Sequence, residues 1–238
     1  MAQVINTNVS SLFAGATLNK SNIALQTAME RLSSGKRINS AKDDATGMAT
    51  ASGYESTMRG ANVAARNAAD GISKAQIADG IHQQVYENLQ RMREIAVQLG
   101  GTSSGAEHTA LVAENTRILG LAVNTTATVV SSTGATVAGT GAKATLGTTY
   151  TVAGIDADIA LVVAARASFG ADMSTFQSAV NNLQSESVNT AAAYSRVMDT
   201  DYALETTAMT RNLILQQAGT AMLAQANQVP NNVLSLLR

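Results

Sequence analysis

Several stretches of this chain carry residue types that can do chemistry. His82 and His108 are its two histidines, and neither stands in an H-E-x-x-H or comparable ligand spacing, so both read as surface residues rather than metal ligands. "KDD" at 42–44 is acidic enough to suit a cation. Asp43 and Asp44 fall, however, where a helix is expected to begin, and carboxylates there favour the positive end of the helix dipole. "GTGAKAT" shares with a phosphate loop only its glycines and lysine; it lacks the G-x-x-x-x-G-K-[ST] spacing and the strand and helix that should flank it. "RMREIAVQ" puts Arg91, Arg93 and Glu94 on a helix, where they read as a solvated polar face. The Ser and Thr residues of the central stretch suit glycosylation on an exported protein, but turns use the same residues. No enzyme, cofactor or metal centre is expected.

Composition narrows the classes further. Net charge is −1 and the pI about 6.1, so no basic face invites nucleic-acid phosphates. The longest apolar run, "IALVVAA" from Ile159 to Ala165, is far shorter than the roughly 20 residues of a membrane span. "MAQVINTNVSSLF" lacks the basic cluster and apolar stretch of a cleavable secretory signal, which leaves the cytosol or a signal-independent export route. Leu, Ile, Val and Phe make 51 of 238 residues, with no Trp and no Cys, so a thin core is expected, without disulfides or cysteine-ligated metal.

The elements that must position these residues are mainly helical. From Val4 to Leu32 apolar residues recur at Ile5, Val9, Leu12 and Ala16, then at Leu25, Met29 and Leu32, a narrow coiled-coil-like stripe. Gly35 suits a left-handed C-cap, and Ser40 with Asp43 approximates a capping box for the next helix. That helix should run over roughly residues 43 to 99, with Ala61, Ala65, Ala68, Ile72, Ala75, Val85, Leu89, Met92, Ala96 and Leu99 inward. At 1.5 Å per residue it would reach about 85 Å, so the expected molecule is an elongated rod. A shorter helix follows from Ala106 to about Val123. Between Gly120 and Ile155 Thr, Val and Gly predominate, and "TTYTVAGI" is the best strand candidate. Helical spacing returns after Asp156 to about Tyr194. A last helix is expected from Asp201 to Gln228, with Leu213 and Ala221 inward, until Pro230 interrupts it.

Helices at both ends therefore enclose a small β-hairpin-like insert at about 120–158. Antiparallel pairing of the end helices would set "VINTNVSSLF" beside "VPNNVLSLL", whose Val233, Leu234, Leu236 and Leu237 demand a cover. The expected division is 1–42 and 200–238 as the two halves of an inner coiled-coil domain, the first with a spoke, and 43–199 as a helical rod domain.

Taken together, "MAQVINTNVSS", "RLSSGKRINSAKDDATGMA", "NAADGISKAQ", "NLQRMREIAVQ" and "DTDYALETTAMTRNLILQQAGTAMLAQANQVPNNVLSLLR" resemble bacterial flagellin, the filament subunit of the flagellum. The resemblance covers approximately residues 1 to 119 and 159 to 238. It implies terminal helices that pair as a coiled coil in the inner tube of a hollow filament, disordered in the free subunit and folded on assembly. It also implies export through the flagellar type III apparatus, a chaperone on the C-terminal segment, hook-associated and cap proteins as neighbours, and extracellular placement, with neither nucleic acid nor membrane as partner. Because few residues separate the matched parts, little or no outer domain is expected; a "QFNG"-type stretch and an H-E-x-x-H insert are absent.

The same resemblance places Arg91, Glu94 and Ile95, and Glu114 on the following helix, at positions read by a host Toll-like receptor, with Ile95 where Leu is usual. The expected mechanism is coupled folding and helical polymerisation. The assembly residues implied are Ile5, Val9, Leu12, Leu25, Leu32, Leu213, Leu223, Val229, Val233, Leu234 and Leu237. The alternative of the same fold is a hook-filament junction protein, which would not form long filaments alone.

Overall fold

The computed structural model describes residues 7–121, 128–130, 136–147 and 150–235, with backbone alone for 128–130, 137 and 229–235. Five helices dominate: α1 (Val9–Ser34), α2 (Ala45–Gln98), α3 (Ala106–Leu121), α4 (Val152–Met198) and α5 (Tyr202–Ser235). Strands β1 (Thr128–Val130) and β2 (Thr136–Ala138) form a two-stranded antiparallel ladder that pairs Val129 with Val137. The mainly helical class with a small central hairpin is thus the observed one. Two compact units are distinct, Met1–Gly53 with Ala192–Arg238, and Tyr54–Ala191.

In the first unit α1 and α5 pair along their lengths. Asn8 caps α1, its side chain accepting from the Ser11 N–H at 3.2 Å. At the other end Gly35 takes φ +69° and donates to Arg31 O at 2.8 Å, the left-handed cap the sequence calls for. The positive φ favours glycine here, and a Cβ would also press within 2.9 Å of the Tyr202 hydroxyl, which would have to shift. The chain then pairs Lys36 with Asp199, and Ile38, Ala51 and Met198 close a small core.

In the second unit the inward positions of α2 are Ala61, Ala64, Ala68, Gly71, Ala75, Ala78, His82, Val85, Leu89, Met92 and Ala96, all buried. Their spacing alternates three and four over five heptads, the pattern of a helix that packs along one continuous seam. Helix α4 answers antiparallel, as the pairs Arg93–Asp156 at 2.6 Å and Arg166–Asp79 at 2.8 Å show. Where α2 offers only Ala and Gly, α4 supplies Phe176, whose ring stands so near Gly71 that a Cβ there would meet it at 3.1 Å. Where α2 offers Val85, Leu89 and Met92, α3 joins with Ile118 and Leu119, and α4 with Ile155, Val162 and Phe169. Small residues thus admit a large ring, and large ones draw in a third helix.

Several expectations need correction; Leu99 and Ala221, expected inward, are exposed. The N-cap of α2 is Asp44, whose Oδ1 accepts from the Gly47 N–H at 2.8 Å. Ser40 and Asp43 instead close the turn before it, with Asp43 Oδ2 taking the N–H groups of Asn39 and Ser40. "TTYTVAGI" keeps only an isolated antiparallel bridge, Thr151 with Thr102, before Thr151 Oγ1 accepts from the Gly154 N–H and α4 begins at Val152 with Ile155 turned into the core. Helix α5 continues through Pro230 to Ser235; proline forfeits one helical hydrogen bond, yet its φ is already helical. Finally, His82 and His108 are both buried rather than on the surface. His82 packs against the Phe169 ring, and His108 lies 2.7 Å from the Ser103 hydroxyl with its edge toward Tyr150.

Candidate assembly surface

The facing residues of α1 are Ser11, Ala14, Leu18, Ser21, Leu25, Ala28 and Leu32, a strict heptad series that is buried or half-buried throughout. Those of α5 are Glu205, Met209, Asn212, Gln216, Gly219, Leu223 and Ala226. Polar pairs stitch this seam at intervals. Asn8 Nδ2 donates to Ala226 O at 2.8 Å, Ser11 Oγ to Asn227 Oδ1 at 2.7 Å, and Gln216 Nε2 to Asn22 Oδ1 at 2.8 Å. Arg31 reaches the buried Glu205 at 3.8 Å.

With Ser, Asn and Gln occupying seam positions, much of the apolar surface lies elsewhere. Val9, Leu12, Phe13, Ile23, Leu213, Ile214, Leu215 and Met222 are exposed, Phe13 at 75 % and Met222 at 63 %. A groove of about 610 Å³ runs between α1 and α5, lined by Val9, Phe13, Leu18, Leu215 and Met222 among others. The assembly residues expected from sequence therefore divide. Leu25, Leu32 and Leu223 belong to the α1/α5 seam, whereas Val9, Leu12 and Leu213 are on the open faces. Ile5 and Leu237 lie outside the described residues, as do the side chains of Val229, Val233 and Leu234, whose backbone is helical. Sequence reasoning missed Phe13, Leu18, Leu215 and Met222. Counting heptads back from Leu32 and Leu25 reaches Leu18 and Ser11, which assigns Leu12 and Phe13 to the outer face.

The polar residues of "RMREIAVQ" are engaged from α3 and α4, with Arg93 held by Asp156 of α4. Arg91 Nε donates to Glu107 at 2.8 Å and its Nη1 to Glu94 at 3.0 Å; these carboxylates, Glu107 foremost, raise its affinity for its proton. Glu114 takes two hydrogen bonds from Arg117, which hold its carboxyl below the usual range. Arg91, Glu94 and Glu114 are on the surface, but Ile95 is only 7 % exposed and packs inward. Among the described residues no group of His, Asp or Glu is placed to hold a metal ion, and no helix is long and apolar enough to cross a membrane.

Comparison with known proteins identifies this architecture. The model of the bacterial flagellin N-terminal helical region matches residues 5–124, and that of the C-terminal helical region matches residues 152–237. The chain is 37 % identical to a flagellin of Xenorhabdus nematophila over the full length of both. It is 35 % identical to the flagellar filament 33 kDa core protein of Treponema phagedenis, covering 99 % of this chain and 100 % of that protein. It is also 53 % identical to a flagellin of Salmonella muenchen over 120 residues, half of this chain and 24 % of the longer protein. A paired-helix unit with an uncovered apolar face, and relatives matched along the whole chain, lead to one conclusion: the protein belongs to the bacterial flagellin family and is a short-form structural subunit of the flagellar filament.

Proposed function

We propose that filament growth buries the open faces of α1 and α5 against other copies of this chain, so that folding of the terminal helices and association are one process. The observation that carries this reading is the apolar face bearing Val9, Leu12, Phe13, Leu215 and Met222, which the α1/α5 pair itself leaves in water. At about 25 cal/mol per Å², covering one such side chain contributes roughly 1.5–3 kcal/mol, enough for several together to offset part of the ordering cost. Repeated head-to-tail contacts that do not close into a ring extend into a helical polymer.

In this reading residues 1–42 and 200–238 form the inner coiled-coil domain and 43–199 the helical rod domain with its β-like insert. The chain leaves the cell through the flagellar export apparatus, bound beforehand by a chaperone at its C-terminal segment, and meets hook-associated and cap proteins at the filament ends, outside the cell. It has no enzymatic role. Arg91, Glu94 and Glu114 offer a host Toll-like receptor a charged surface, beneath which Ile95 supports the backbone. Electron microscopy of purified protein seeded with filament fragments tests the central claim. Long filaments are expected from the intact chain and none from a truncation lacking Val233 to Arg238. Normal filaments from the truncation would remove the tail from the mechanism, and failure of the intact chain to elongate would favour a junction protein.

A further inference from the structure

Residues 139–147 cross the second unit without helix or strand, and three buried side chains hold their backbone. Asp172 Oδ1 accepts from the Thr140 N–H at 2.9 Å and from its hydroxyl at 3.0 Å, while Oδ2 accepts from the Gly141 N–H at 2.7 Å. Asp158 Oδ1 accepts from the Gly147 N–H at 2.7 Å. Between these anchors the grip belongs to His82, whose Nε2 accepts from the Ala144 N–H at 3.1 Å. His82 is 0 % exposed.

The geometry fixes the protonation state that fits. His82 Nδ1 lies 2.7 Å from the Ala78 carbonyl, which can only accept, so Nδ1 carries the hydrogen and Nε2 keeps its lone pair for Ala144. A second proton would place Nε2–H against the Ala144 N–H, donor against donor, in a site closed to water. The face of the ring is covered by Phe169, with centroids 5.0 Å apart. The charged or titratable groups on the packed elements include Asp79, Tyr86 and Glu87 on α2, Asp158, Arg166 and Asp172 on α4, and Lys143 on the crossing segment, with Asp158 engaged by the Gly147 N–H and Glu87 by Gln83. Asp79 is engaged by Arg166 and Asp172 by the segment itself, so neither is a ready acceptor for a new Nε2–H.

We propose that residues 139–147 form a strap released at its centre by a proton on His82. The neutral ring holds Ala144 in the core with Val85 and Phe169; the cation breaks that hydrogen bond, and the strap lifts between its two aspartate anchors. Histidine is suited to this, since it changes charge between about pH 5 and 8 where other side chains ordinarily do not.

Amide hydrogen exchange on the full chain as soluble subunit, between pH 8 and 5 and corrected for intrinsic rates, tests the device. Protection at Ala144 should fall about tenfold per pH unit as the pH drops toward the titration midpoint, the slope for one coupled proton, and level off below it. Protection at Val85 and Leu89 should hold. The assigned His82 imidazole signal should titrate with the same midpoint and report the Nδ1–H tautomer at pH 8. The substitution His82→Gln keeps an acceptor that does not titrate and should abolish the slope. Constant protection at Ala144 in the native protein, a midpoint unlike that of His82, the other tautomer, or joint loss across α2 would each overturn the proposal. So would a retained slope in folded His82→Gln; if that variant fails to fold, the native midpoints decide.

Discussion

The two units use the same heptad spacing to opposite ends. In the second, the inward series of α2 and α4 is filled by Val85, Leu89, Phe169 and Phe176, and its polar exceptions, His82, Asp158 and Asp172, each meet a backbone N–H. In the first, the α1/α5 seam carries Ser21, Asn212, Gln216 and Glu205, while Phe13, Ile214 and Met222 stay in water. Burial turned inward gives stability to the subunit alone. Burial left outward contributes nothing to the subunit alone, and this contrast is what the proposed completion by neighbouring copies rests on.

Substitutions can break or sharpen this contrast. The largest effect is expected from Phe169→Ala, which removes a fully buried ring from the second unit and should cost the isolated subunit about 3–5 kcal/mol in chemical denaturation. Leu25→Ala, in the better-packed part of the α1/α5 seam, should cost about 2 kcal/mol, because small neighbours such as Ala28 give the Leu25 side chain fewer contacts to lose. Asp44→Ala removes the α2 cap and should cost about 1 kcal/mol, read by the same denaturation.

A smaller effect is expected in acid. Asp43 is held below the usual carboxylate range chiefly by the Ser40 and Asn39 N–H groups, and Glu114 chiefly by Arg117. A depressed folded-state pKa means stability fully present above the unfolded value and lost as pH falls through the folded one. Melting temperature should therefore decline below the ordinary carboxylate range, and Asp43→Asn should flatten part of that decline. Smallest of all for the subunit is Phe13→Ala, expected within about 0.5 kcal/mol because the ring is already exposed. The same substitution should slow seeded elongation markedly; unchanged elongation would disconnect the open face from assembly.

Much of this was legible in the sequence, for reasons particular to each part. The heptads of α2, the Gly35 cap and the antiparallel return of the chain rest on local spacing and backbone preference, which a sequence displays directly. The burial of His82 was not legible, since it depends on residues 139–147 returning to donate the Ala144 N–H, a contact 62 residues away. The continuation of α5 past Pro230 shows the same limit from the other side: a local breaker was overruled by the helix around it. Leu12 and Phe13 were misassigned or missed because α1 is apolar on two faces, and periodicity alone does not say which face meets α5.

The polar stitches between α1 and α5 have one more consequence. Asn8 with Ala226, Ser11 with Asn227 and Asn22 with Gln216 occur at spaced points along one pair of helices. A small axial slip would part all of them at once, and the next alignment that returns side chains to the same face lies a heptad away, roughly 10 Å. The three contacts therefore mark one register of the pair, and any other alignment would lose them together.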